Sequence, residues 1–141
     1  MGDAGVPLEV DRLAVDVLAD WYESGWKTLD RVVSELPTAA EPAVIQLWPE
    51  HFDAGTNVAL SASSSARVNL GVSPGDTNED EPYLYVGPWG FVPRADVPFW
   101  NAPFGATLRW TDVQAASDPR AAGVEFLRAG LLAARLATPS S

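Results

Sequence analysis

The chain has no cysteine, a single histidine and a single lysine in 141 residues. The missing cysteine excludes disulfides, thiolate zinc sites and thiol catalysis. One histidine, His51, excludes any site that needs two imidazoles from one chain. Positive charge is scarce: Lys+Arg number 9 against 19 Asp+Glu, for a net charge of -10. That balance argues against a nucleic-acid partner, because neutralising phosphates takes clustered Lys and Arg. It argues equally against docking on an anionic membrane surface. Long apolar runs are absent too, since no stretch approaches the roughly 18 residues of a membrane helix. The N-terminus, M-G-D-A-G-V-P-L-E, lacks the basic and apolar blocks of a signal peptide. The expectation is a soluble cytoplasmic protein.

What is present is ordinary globular composition, 47% hydrophobic and 20% charged. The length suits one domain over residues 1–141, with loose termini at 1–8 and 138–141. A chain of this size buries roughly 68–70% of its unfolded surface, enough for one core without staples.

Helical periodicity opens the chain. Val10, Leu13, Val17, Trp21, Leu29, Val32 and Leu36 form an apolar stripe, widened by Leu18. Glu23 and Lys27 make an i,i+4 pair of the favoured orientation, and Pro37 stops the run. The spacing predicts a long helix over residues 9–36, with Gly25 permitting a close contact or a slight bend. Apolar runs then predict strands over 43–48, 57–63, 66–72, 83–86 and 106–110, the second and third forming a hairpin. Asp53-Ala-Gly-Thr and Ser63-Ser-Ser65 read as turns, and Gly87-Pro88 as a strand end. The Pro- and aromatic-rich connection over 90–105 is too apolar for a free loop and is expected to cover a sheet edge or wall a pocket. Asp118-Pro119 starts a C-terminal helix with Val124, Leu127, Leu131 and Ala134 on its apolar side. Short links favour antiparallel pairing. The reading is an α+β domain: an antiparallel meander sheet of about five strands, a long N-terminal helix and a C-terminal helix, the helices on one face.

Chemistry concentrates in two bends. Ile45 to Asp53, I-Q-L-W-P-E-H-F-D, carries Glu50, His51 and Asp53. Val72 to Trp89 carries Asp76, Asn78, Asp80 and Glu81. In the second bend oxygen ligands alternate as at the start of a calcium loop, yet Glu81 and Gly87 stand where an EF-hand needs Gly and a bidentate Glu. A smaller site for calcium or another divalent cation would use these seven residues; the plain alternative is a solvated hairpin tip. His51 would complete such a site, act as acid/base, or merely pin the turn after Pro49. Ser73 and Asp53 supply the other types of a hydrolytic triad, but no Gly-x-Ser-x-Gly elbow is present. Trp48, Trp89 and Trp100 would make a platform for an apolar or sugar ligand, or simply pack. An uncovered aromatic face would be buried most economically by a homodimer or a second protein chain.

With its L-W-P-E-H-F-D, S-P-G-D and E-P-Y-L-Y-V-G-P-W blocks and a later F-W-N-A segment, the chain resembles an uncharacterised actinobacterial protein family over roughly residues 9–137. The resemblance implies no activity. It points to Glu50, His51, Asp53, Ser73 and Asp76, and implies that many members carry an extra N-terminal half. Three functions follow from these readings: a non-catalytic binding or interaction domain, with or without a divalent ion; a small enzyme with His51 in an aromatic-lined cleft; or a structural subunit of a homo-oligomer.

Overall fold

Asp11 opens the first helix by accepting the amides of Leu13 and Ala14 at 3.0 and 3.4 Å, the usual work of an N-cap aspartate. Helix α1 runs Arg12–Ser34 and stops short of Pro37. The computed structural model describes residues 11–61, 65–89, 91–94 and 96–138. The expected lead-in over 1–8, Val10 of the stripe, Ser63 and Ser64 of the turn and the tail from 139 onward lie outside them. Only the second half of α1 is buried, through Trp21, Gly25, Thr28, Leu29 and Val32. Leu13, at 78% exposure, and Val17 stand free of the core. The helical period was therefore legible along the whole run, but the packing it implied begins at Trp21.

Five strands follow: β1 Gln46–Trp48, β2 Asp53–Ala59, β3 Arg67–Ser73, β4 Tyr83–Trp89 and β5 Ala106–Arg109. They form one antiparallel sheet in the order β1-β2-β3-β4-β5. The expected α+β meander with helices at both ends is the observed architecture. Strand bounds shift, β1 starting at Gln46 and β2 ending at Ala59, and three further boundaries differ in kind. Asp53 to Thr56 is not a turn but the start of β2, because Asp53 and Ala54 pair with Trp48 and Leu47. Gly87-Pro88 does not end β4, which pairs with β3 as far as Trp89. Past Val86 no strand among the described residues pairs on its other side, and a proline costs no ladder bond at such an edge. Trp110 belongs to a short helix, α2 Trp110–Ala115, rather than to the last strand.

Alternation sorts the sheet into two faces. Ala54, Thr56 and Val58, then Val68, Leu70 and Val72, then Leu84 and Val86 point to one side and are essentially fully buried. Helices α1 and α3, the latter Pro119–Ala137, cover that side. Two glycines let the helix backbones come close: a β-carbon at Gly25 would fall 2.5 Å from Val72, and one at Gly130 would strike Val86. The close contact expected at Gly25 is thus with β3. Trp21 locks α1 to the end of β3 by donating its indole N–H to the Ser73 carbonyl at 2.8 Å. Trp21 also meets Trp110 edge-on at 4.9 Å, and Phe99 stacks on Phe126 of α3. Among the described residues no helix is long and apolar enough to cross a membrane.

Candidate functional site: a cleft on the outer face of the sheet

The opposite side of the sheet carries the chemistry. Gly55 and Gly71 are cross-strand partners on β2 and β3, and Tyr85 of β4 pairs with Gly71. Two neighbouring residues without side chains make room on this face for rings from the flanking strands. Trp48 leans in from β1, its ring 2.8 Å from where a β-carbon of Gly55 would stand. Tyr85 leans in from β4, lying where a side chain on Gly71 would be. Its hydroxyl thereby crosses β3 and donates to Asp53 Oδ2 on β2. The result is a cleft of about 630 Å³, within the usual size of small-molecule sites.

Both chemistry-bearing bends reach this cleft. Trp48, Glu50, His51 and Asp53 come from the first, Ser73, Asp76 and Asn78 from the second. They meet because the β1–β2 turn and the β3–β4 loop leave the same end of an antiparallel sheet. Tyr83, Tyr85 and Phe104 complete the walls, with Asn69 on the face between. Phe104 belongs to the 90–105 connection, as expected of a pocket wall, and meets Tyr85 edge-on at 6.3 Å.

The two tyrosines hold the two aspartates. Tyr83 donates to Asp76 Oδ2 at 2.5 Å, and the other oxygen of Asp76 accepts the amides of Asn78 and Glu79 at 2.8 and 3.2 Å. Burial alone would push the Asp76 carboxyl up, but the Tyr83 hydroxyl and these two amides hold it below the ordinary aspartate range. Tyr85 is raised well above the ordinary phenol value, first by burial and then by its hydrogen bond to Asp53. Tyr83 is raised by burial and by Asp76, against a lesser opposing bond from Ser73. Both phenols therefore stay protonated donors at neutral pH. Asp53 Oδ1 is enclosed and has no hydrogen-bond partner.

No family model, curated protein or solved structure matches the chain. Function must be argued from the cleft itself.

Four of the residues singled out in the sequence stand outside it. Glu81 turns to the start of α2 and accepts from the Thr111 amide and hydroxyl at 3.1 and 2.7 Å. Asp80 does not line the cleft. Trp100 is 9% exposed in the core, edge-on to Phe99 at 5.2 Å. Trp89 does not line the cleft itself but donates to Oδ1 of Asn69, which does, at 3.2 Å. Proximity in sequence does not say which side of a loop a residue leaves from, as Glu81 shows, nor how far along a face the cleft extends, as Trp89 shows. His51 is exposed and makes no hydrogen bond among the described residues. It does not pin the turn after Pro49; Tyr22 does, donating to the Phe52 carbonyl where Phe52 takes a left-handed φ of 56°. Ser73 is buried, its oxygen accepting the Gly75 amide at 3.1 Å, so it does not present a nucleophile. Sequence reasoning passed over Tyr83 and Tyr85. Their signal was the alternation in Y-L-Y-V, which puts both rings opposite Leu84 and Val86.

Proposed function

We propose that the protein is a non-catalytic binding domain whose ligand site is this cleft on the outer face of the sheet. The observation that carries the reading is the open cleft itself, lined by Trp48 and Tyr85, whose rings take the places of side chains on Gly55 and Gly71, with tyrosines bracing carboxylates along its walls. The triad reading finds no support here: Ser73 is buried with its oxygen accepting the Gly75 amide, and no hydrogen bond joins it to His51 among the described residues. The divalent-ion version of the reading fits these residues poorly. Among the described residues no three His, Asp or Glu side chains are grouped to hold a metal ion, and both oxygens of Asp76 are already engaged. Of the aromatics gathered at the strand ends, Trp100 and Trp110 pack on the chain's own core, while Trp48 and Phe104 line the cleft and Trp89 is exposed, on the face that a second copy would cover.

Gly87 supplies the test. It lines the cleft, and a β-carbon there would find nothing nearer than 3.9 Å, so Gly87→Leu plugs the site without a backbone clash. A small-molecule screen followed by indole N–H chemical shifts should give ligands that perturb Trp48 in the parent protein and not in Gly87→Leu. Ligands that bind both proteins alike would place the site elsewhere.

A further inference from the structure

We infer that the cleft takes an organic cation, a primary amine or a quaternary ammonium attached to an apolar body. The inference rests on the reading of the cleft as a ligand site. Its first support is uncompensated charge. Glu50, Asp53 and Asp76 line the cleft, and no Lys or Arg does among the described residues. The ion pairs of the described residues engage Glu23, Glu35, Glu79 and Asp96, never a cleft carboxylate. A concave wall bearing one sign of charge concentrates ions of the other.

The second support is the direction of the hydrogen bonds. The Tyr83 and Tyr85 hydroxyls both donate to aspartates, so the strongest neutral donors of the cleft are spent internally. Asp53 Oδ1 also lacks a donor among the described residues, but it is enclosed, so Asp53 acts on a ligand through its charge. With those donors spent and the carboxylate charge unneutralised, the cleft favours a ligand that brings positive charge.

The third support is the walls. Trp48, Tyr83, Tyr85 and Phe104 surround the carboxylates, and aromatic faces attract cations through their quadrupole. A hydrated metal ion makes little use of such walls and wants converging oxygen ligands, which the cleft does not group. An alkylammonium uses both features and needs no closed coordination sphere.

Three probes of matched shape separate the possibilities: 2-phenylethylamine, 2-phenylethanol and phenylacetate, each titrated into the full chain and read by indole and backbone amide shifts. The amine is expected to bind at least tenfold more tightly than the alcohol, with phenylacetate silent. Its affinity should fall severalfold on adding salt and on Glu50→Gln, an exposed position whose replacement leaves the fold intact. Asp76→Asn should weaken the amine and leave the alcohol unchanged. If the alcohol or phenylacetate binds as well as the amine at these residues, the cleft stands as a site and the cation assignment falls. Calcium chloride displacing the amine from the same resonances would replace the organic cation by a metal. If none of the three probes moves a cleft resonance, or Gly87→Leu leaves the amine's binding unaltered, both readings fall together.

Discussion

Replacing Tyr85 by phenylalanine removes one oxygen and nothing else, and it isolates the bond that ties β4 to β2 across β3. The ring is 9% exposed and can keep its place over Gly71. What is lost is the donor to Asp53 Oδ2. The partner oxygen of that carboxylate already lacks a donor, so the variant leaves Asp53 with no protein hydrogen bond to either side-chain oxygen. Hydrogen bonds to charged groups contribute about 1.5–3 kcal/mol. Asp53 borders the cleft and water can partly replace the hydroxyl, which argues for about 2 kcal/mol. With an unfolding entropy of about 2.1 cal/mol/K per residue, a chain of this length should lose about 7 °C in Tm. Urea denaturation followed by tryptophan fluorescence measures the free energy, and a double-mutant cycle with Asp53→Asn should show a coupling of about 1 kcal/mol or more. A loss below about 0.5 kcal/mol, or strict additivity in the cycle, would refute the claim that this hydroxyl braces Asp53.

Gly71→Ala should be worse than a strand glycine normally allows, because its methyl group would occupy the Tyr85 ring; about 1–3 kcal/mol of lost stability and loss of ligand binding are expected together. Gly130→Ala tests the docking of α3. Helix propensity favours alanine by about 1 kcal/mol, yet the collision with Val86 should make the net change destabilising in thermal denaturation. Trp100→Ala should cost about 3–5 kcal/mol as a core deletion, and in the fraction that remains folded the amine's affinity should be unaltered. Trp48→Ala should show the reverse pattern, weakened binding with a smaller stability change. Tyr83 and Tyr85 are both raised above the ordinary phenol value of 10.0, so the unfolded chain loses these protons first. Their contribution is complete below about pH 10 and declines as pH climbs toward the folded values; urea midpoints measured across this range should fall with pH less steeply in Tyr85→Phe than in the parent.

Much of the fold was legible because its signals are local. Asp11, Asp118-Pro119 and Pro37 bound their helices by chemistry that acts within a turn, and the alternation of Val68, Leu70 and Val72 fixes which side of β3 meets the core. The failures came where a local signal met a longer-range demand. Asp53-Ala-Gly-Thr has turn composition, but Gly55 sits in a strand where a β-carbon would fall 2.8 Å from the Trp48 ring and from the Leu70 carbonyl. Gly87-Pro88 has the composition of a strand end, but the strand continues where one side is unpaired. Leu13 and Val17 complete the apolar stripe of α1, but that part of the helix stands free of the core.

The candidate site divides the same way. Sequence alone determined that its charge is negative, that no thiol or imidazole pair takes part, and that the chemistry gathers in two bends. Composition and spacing suffice for those statements because they hold in any fold the chain might adopt. Only the tertiary structure decided that Tyr85 reaches Asp53 across Gly71, that Asp76 faces the cleft while Glu81 caps α2, and that Trp48 lines the cavity while Trp100 supports the core. Each of these depends on register and on which side of a strand or loop a side chain leaves. In a sheet a shift of one residue reverses every side, and the register is set jointly by all the neighbours a strand pairs with.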